Sequence, residues 1–299
     1  MDSEQLKDWY YEIEVAPGVM SGGRVRGTLG MTREVIANMD LEGARCLDIG
    51  TQEAVAPVLM ARQGASYVAA YDRLDLSDRL AIVQSSYGVD IDYYHSLEMH
   101  QLKQALNERE VPAFDVVIFA GVLYHMIDPL VGFAVARSTL RDGGIAVIES
   151  SVYVSDEFVM QFNAGGRYYQ GSNYFQVSLA CYEYFAHMVR LKPIDLLFTR
   201  PSASGISRVS MVCRAVTDVI ADADDTWIRK GFVAQDMAAY GLRYRELASD
   251  KAPVPYTAIN PELVFREGSD CIDVLKTFHA SAPVVGSRRK GQLFLEDLK

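Results

Sequence analysis

The stretch from Phe114 to Ser150, FDVVIFAGVLYHMIDPLVGFAVARSTLRDGGIAVIES, constrains the fold more than any other part of the chain. Phe114 to Phe119 is a short apolar, β-branched run carrying one Asp, and Ile127 to Leu140 has helical spacing. Asp142-Gly143-Gly144 reads as a turn, and Ile145 to Ile148 is apolar again. Strand, loop, helix, turn and strand in that order predict one unit of an open, doubly wound α/β sheet. Such sheets hold their ligands at the carboxyl ends of strands. There this chain has Gly121-Val122-Leu123-Tyr124-His125 and, one strand later, Glu149.

Upstream, Arg45-Cys46-Leu47-Asp48-Ile49-Gly50 reads as a buried strand ending in an acid and a glycine. A helix from about Glu53 to Gln63 and a second strand, Tyr67 to Tyr71, follow, and Asp72 closes that strand. The first turn of a doubly wound sheet lets a ligand approach the backbone, and the acid ending the second strand can accept hydrogen bonds from ribose hydroxyls. A nucleoside ligand is expected. NAD(P) uses the same geometry, but its fingerprint needs three glycines that seat a pyrophosphate on a helix N-terminus. Gly50-Thr51-Gln52-Glu53-Ala54 has one glycine and an anionic Glu in that turn. S-adenosylmethionine, which carries a cationic sulfonium and no phosphate, suits an acidic turn.

These motifs, with Asp128-Pro129-Leu130, Gly166-Arg167-Tyr168-Tyr169 and Asn173-Tyr174-Phe175, resemble the class I S-adenosylmethionine-dependent methyltransferases. Within them the chain is most similar to the family of the tRNA wobble-uridine carboxymethyltransferase and its small-molecule relatives, over about Leu41 to Val212. The resemblance implies a Rossmann-like core over residues 41–215, an aromatic and glycine-rich N-terminal lid over 1–40 and a C-terminal cap over 216–299. It departs from the family in the first turn, where members usually have two or three glycines, and it fades in the flanks where an acceptor would be chosen.

Composition selects among acceptors. A net charge of −10 argues against nucleic acid, which needs a basic surface to displace counterions. The basic runs are short, Arg24 and Arg26 near the start and Arg288-Arg289-Lys290 near the end. A small-molecule acceptor is expected instead. Four scattered cysteines, Cys46, Cys181, Cys213 and Cys271, indicate neither a zinc site nor a disulfide framework. No apolar run approaches the ~20 residues of a membrane span, and the polar start lacks a signal peptide's apolar region, so a soluble, cytoplasmic protein is expected. Trp9 to Glu14 reads as a partly helical aromatic start, Pro17 to Gly30 as a mobile closing segment, and Val233 to Leu247 as a helix behind an acidic linker, Asp222, Asp224 and Asp225. The N-terminal segment can close over its own site or a neighbour's, so a homodimer is the assembly considered.

The candidate residues follow from the chemistry. Methyl transfer from a sulfonium is an in-line displacement, so alignment in a dry site supplies most of the catalysis, and aromatic faces attract the cation. Tyr10, Tyr11, Tyr124, Tyr168, Tyr169 and Tyr174 fall in segments facing the expected pocket, although aromatic residues at such positions can equally be core. On the cofactor side, Asp48 and Gly50 fit the amino-acid end, Asp72 the ribose, Leu97 or Glu98 the adenine, and Gly121 the close approach of the second loop. Asp72 has an alternative as a helix N-cap before Leu74. His125 is a candidate general base or a loop-bracing side chain, and Glu149 can orient an acceptor or anchor the loop after it. The resemblance implies that Arg167 and Tyr168 hold a carboxylate, with Asn173 orienting a polar group nearby; the alternative for Arg167 is a surface ion pair. His279 is a further candidate in the C-terminal region.

Three functions are compatible with these residues. The first is methyl transfer from S-adenosylmethionine to a small carboxylate- or amine-bearing metabolite, in specialised metabolism. The second keeps the cofactor and changes the electrophilic carbon, either by carboxymethyl transfer or by cyclisation of the cofactor's own side chain to azetidine-2-carboxylate with release of methylthioadenosine. Carboxymethyl transfer needs an extra cation, and Arg167 is the one the sequence offers. The third is a non-catalytic nucleoside- or protein-binding relative.

Overall fold

The computed structural model describes residues 6–25, 29–168, 173–217, 232–243, 247, 249–263 and 292–298. Tyr169, the acidic linker, Cys271, His279 and the basic run 288–290 lie outside them. A central sheet is built from β3 (Arg45–Ile49), β4 (Tyr67–Asp72), β5 (Asp92–His95), β6 (Phe114–Ala120), β7 (Leu140–Tyr153), β10 (Leu191–Phe198) and β11 (Ile206–Ala215). Its strand order is β10-β11-β7-β6-β3-β4-β5, parallel from β5 to β7 and antiparallel at β11 and β10. β8 (Met160–Phe162) and β9 (Phe175–Ser178) form a side ladder attached to the end of β7.

The strands form where the sequence alternates or runs apolar, and their two faces bury two clusters. One face carries Ala146, Ile148, Val209 and Met211 against α4 (Leu102–Glu108), α5 (Pro129–Thr139) and α6 (Leu179–Met188). The other carries Ile145, Val147, Val116 and Val212 against α1 (Gly30–Ala37), α2 (Val55–Arg62) and α3 (Ser77–Tyr87). This is a Rossmann-like α/β/α sandwich, with the reversal of strand order falling between β3 and β6. No helix among the described residues is long and apolar enough to cross a membrane.

The Asp128-Pro129 pair starts α5 for a physical reason. Asp128 Oδ1 accepts the Leu130 and Val131 backbone N–H groups at 3.0 and 3.4 Å, and Pro129 takes a first-turn position that needs no N–H.

Several expectations are corrected. Residues 12–16 form a strand, β1 (Glu12–Ala16), and no helix, because Tyr11, Ile13 and Val15 alternate with Glu12 and Glu14. β1 pairs antiparallel with β2 (Val19–Met20) and parallel with β12 (Gln292–Leu293), so the two ends of the described chain meet in one small sheet. The described part of the glycine-rich segment is pinned against β1. Ser21 Oγ bridges Tyr11 O and Ile13 N, and a Cβ on Gly23 would collide with the Tyr11 carbonyl. Those glycines serve close backbone approach. α1 was not expected. The Asp142-Gly143-Gly144 turn is a local irregularity within β7, where pairing with β6 shifts register. The expected C-terminal helix is α7 (Phe232–Ala239), ending before Tyr240.

Removing the α5 cap with Asp128→Ala is expected to cost about 1 kcal/mol of stability by denaturant unfolding, with the fold retained.

Candidate functional site

β7 outruns its neighbour. Pairing with β6 ends at Ala120 and Glu149, but β7 continues to Tyr153 against β11 and β9. Its last residues therefore stand as a wall beyond the carboxyl edge of β3, β4 and β6. Residues opposite one another on antiparallel strands share a face. Glu149 faces Ser210, and Ser151 faces Arg208. The apolar face of Ile145, Val147 and Val212 thus turns polar at its upper end, where α1 and the N-terminal strand cover it.

Glu149 is 1% exposed and holds the centre of that polar patch. Its Oε1 accepts from Arg208 Nε at 2.5 Å and its Oε2 from the Thr32 hydroxyl at 2.5 Å. Arg208 Nη1 reaches the Tyr124 hydroxyl at 3.5 Å, and Nη2 lies 3.1 Å from where a Gly121 Cβ would be. Gly121, at φ +77°, leaves that space open. Burial raises the Tyr10 phenol above its ordinary pKa, Tyr124 and Glu53 add to the rise, and Arg208 opposes it. Tyr10 is therefore a neutral hydrogen-bond donor within electrostatic reach of Tyr124 and Arg208. Gln176, 1% exposed, joins the patch through Ser151 Oγ at 3.4 Å, and its Nε2 has no partner among the described residues.

The carboxyl ends of β3, β4 and β5 form the adjoining half. Gly50 has φ +83°, and a Cβ there would strike Val122 across the β3–β6 crevice. Asp72 Oδ2 accepts the Gln52 N–H and Oδ1 the Leu74 N–H, both at 3.0 Å. Asp72 therefore braces two loops, and α3 begins only at Ser77, so it is not that helix's cap. Each of its oxygens keeps a lone pair. Tyr71 donates to the Leu97 carbonyl at 2.8 Å, setting Leu97, half-buried, at the next strand end. Glu98 is exposed and opens a short 3-10 turn. Asp48 is 5% exposed beneath the Gly50 turn. Burial pushes its carboxyl up to about 7; the Thr51 hydroxyl opposes that rise and Asp72 adds to it.

The other candidates sit as follows. Tyr11 is buried in the core, edge-on to Tyr10 with centroids 4.8 Å apart. His125 is exposed at the rim, edge-on to Tyr124 at 4.5 Å. Tyr174 N donates to Tyr124 O at 2.9 Å, which ties the side ladder to the GVLYH loop. The backbone of Asn173 accepts from Asn163, and its Oδ1 is buried without a protein partner. Arg167 is exposed, with its guanidinium 5.3 Å from the Tyr168 ring, and Tyr168 donates to Gln161. The cation brought to Glu149 and Tyr124 is Arg208. Sequence reading missed Arg208 and Thr32. In ISRVSMVCRA, Arg208 alternates with Ser210 and Arg214 while Val209, Met211 and Cys213 form the apolar face, so the pattern reads it as an outward-facing charge and carried no signal. A void of about 10 Å³ behind Tyr124, lined by Phe133, Tyr182 and Phe185, is one water in size and belongs to packing.

The Asp48 shift has a sign. A carboxyl whose native pKa is raised holds a proton that the unfolded chain has released, so its contribution to stability falls as pH rises from about 4 to 7. Unfolding measured across that range should decline less steeply with pH in Asp48→Asn than in the parent protein.

Residues 26–180 match the family model described as a methyltransferase domain. A tRNA U34 carboxymethyltransferase of Alteromonas mediterranea is 30% identical over 179 residues, 58% of this chain and 46% of that protein. A ubiquinone biosynthesis O-methyltransferase of Cereibacter sphaeroides is 32% identical over 116 residues, 38% and 44% of the two chains. The chain thus spans under half the length of these relatives. Among solved structures, the N-terminal domain of EvdMO1 with SAH bound superposes with TM-score 0.55 at 14% identity, over 71% of this chain and 94% of that one. The [4+2]-cyclase SpnF superposes at 0.50 and 13%, over 62% and 81%. These two likenesses establish the fold. With more than half its length matched by the family model and its strand order that of a Rossmann-like methyltransferase, the chain belongs to the methyltransferase domain family, whose cofactor is S-adenosylmethionine.

Proposed function

We propose that the protein transfers the methyl group of S-adenosylmethionine to a small polar metabolite bound between Tyr10, Tyr124 and Arg208. The observation that carries this reading is the Glu149–Arg208–Tyr124 chain beside Gly121, immediately next to the nucleoside half of the site. The residues fit the cofactor. Asp72 keeps lone pairs for two ribose hydroxyls, the absent Cβ of Gly50 leaves the backbone approachable, and Asp48 is a buried carboxyl suited to a cationic group. S-adenosylmethionine, when bound, supplies an electrophilic methyl on sulfur.

The chain's own side chains do the rest. Glu149 is buried and ion-paired with Arg208, with Thr32 on its other oxygen, so its role is to orient the guanidinium. The remaining N–H donors of Arg208, with the Tyr10 phenol and Gln176 Nε2, make a donor-rich wall for a carboxylate, carbonyl or hydroxyl oxygen. Tyr10 and Tyr124 exclude water and present aromatic faces to positive charge. His125, at the rim, can carry a proton away from an O–H or N–H acceptor. Arg167 and Tyr168 can extend carboxylate recognition outward along the rim.

A second reading, carboxymethyl transfer, is supported by Arg208. It is a mostly buried cation beside Tyr124, which that chemistry needs at the sulfonium substituent. The likeness to a tRNA U34 carboxymethyltransferase is consistent with it, whereas the net charge of −10 favours a small acceptor.

The first experiment incubates the purified protein with S-adenosylmethionine, alone and with a metabolite extract, and follows nucleoside products by mass spectrometry. S-adenosylhomocysteine that appears only with extract is the expected result. Methylthioadenosine without an acceptor would replace methyl transfer by cyclisation, and turnover only with a carboxymethylated cofactor would select the second reading. Asp72→Ala should abolish S-adenosylhomocysteine binding by calorimetry. Arg208→Lys keeps the charge on Glu149 but loses the planar fork, so it should retain that binding and lose about 10- to 100-fold in turnover.

A further inference from the structure

The glycine-poor first turn remains to be explained. Backbone φ is positive at Gly50 (+83°), Gln52 (+49°) and Ala54 (+59°), so the turn keeps a conformation suited to glycine at three alternate positions while carrying glycine at one. Left-handed backbone is unfavourable for a non-glycine residue. Two such residues flank Glu53, whose side chain is 0% exposed. Its Oε1 accepts from Tyr10 N at 2.9 Å and from Arg79 Nη1 at 2.7 Å, and its Oε2 accepts from Tyr11 N at 3.1 Å. Three donors satisfy the buried carboxylate, and Arg79 neutralises it. The Arg79 guanidinium also lies 6.0 Å from the ring of Trp9, which is 1% exposed.

The turn that meets the cofactor therefore grips the backbone of the strand that presents Tyr10 to Tyr124 and Arg208. Other bonds hold that strand further on, from Tyr87 to Glu14 O and from Leu295 N to the Glu14 carboxylate, and at Tyr10 and Tyr11 Glu53 is joined by Ser21 and Val25. We propose that Glu53 is a positioning residue: it couples the shape of the cofactor turn to the placement of Trp9, Tyr10 and Tyr11, so that cofactor occupancy and closure of the acceptor wall are one event. The inference rests on the turn being the cofactor's, as in the proposed function. Coupling of this kind is reciprocal, so whatever loosens the strand must weaken the cofactor by the same factor.

The chain has two tryptophans, Trp9 and Trp227, so Trp227→Phe leaves Trp9 as the single indole reporter. In that background, acrylamide quenching of Trp9 is measured with and without S-adenosylhomocysteine, alongside calorimetry. The expected result is that the ligand lowers quenching in the parent. Glu53→Ala should abolish that response and weaken the ligand about tenfold, and Glu53→Gln, whose single carbonyl oxygen can accept only one of the two backbone N–H groups, should restore part of both. If Glu53→Ala does not fold, Arg79→Met tests the same coupling by removing one of the three donors. A parent that binds S-adenosylhomocysteine with no change at Trp9, or a Glu53→Ala protein of lower stability with unchanged affinity and response, would overturn the coupling and leave the proposed function standing. A parent that binds no S-adenosylhomocysteine at all would overturn both.

Discussion

A carboxylate buried without solvent must have each oxygen satisfied, and Glu149 organises its surroundings through that requirement. Arg208 and Thr32 come from elements 59 and 117 residues away in sequence to meet it. They can do so only because β11 runs antiparallel beside β7 and α1 crosses the same face. A buried ion pair of this kind contributes little to net stability, since desolvation offsets the attraction. Its effect is positional: the guanidinium is held with Nη1 toward Tyr124 and Nη2 toward Gly121.

The two halves of the site use backbone in opposite ways. On the nucleoside side, the crevice between β3 and β6 is opened by what side chains omit, at Gly50 and Gly121, and braced by Asp72 bonds to two loop N–H groups. On the acceptor side, β7 extends past β6 and the wall is built from side chains. The N-terminal strand joins them. It pairs with residues 292–293, lies over α3 and brings Tyr10 to the second half while Glu53 holds it to the first.

Most of the core sandwich was legible in the chain because its signals are local. FDVVIF and RCLDI are apolar runs behind acids, the DP pair starts a helix, and Asp72 ends a strand by position alone. The N-terminal strand was not legible: EIEV has the period of a strand, but the flanking aromatics and glycines suggested a helix and a loose segment. One of its two partner strands lies some 280 residues away at Gln292 and Leu293. Arg167 was read as the site's cation because it sits in a motif, whereas Arg208 has none around it and reaches Glu149 only through strand pairing.

The sequence by itself determined the sheet, its carboxyl edge and the acids at its strand ends, since periodicity, turn residues and strand-end position are properties of neighbouring residues. Tertiary structure alone decided which cation meets Glu149, which of Tyr10 and Tyr11 faces the site and why a glutamate occupies the glycine turn. Those outcomes depend on strand register and on donors arriving from distant segments, which no local pattern encodes.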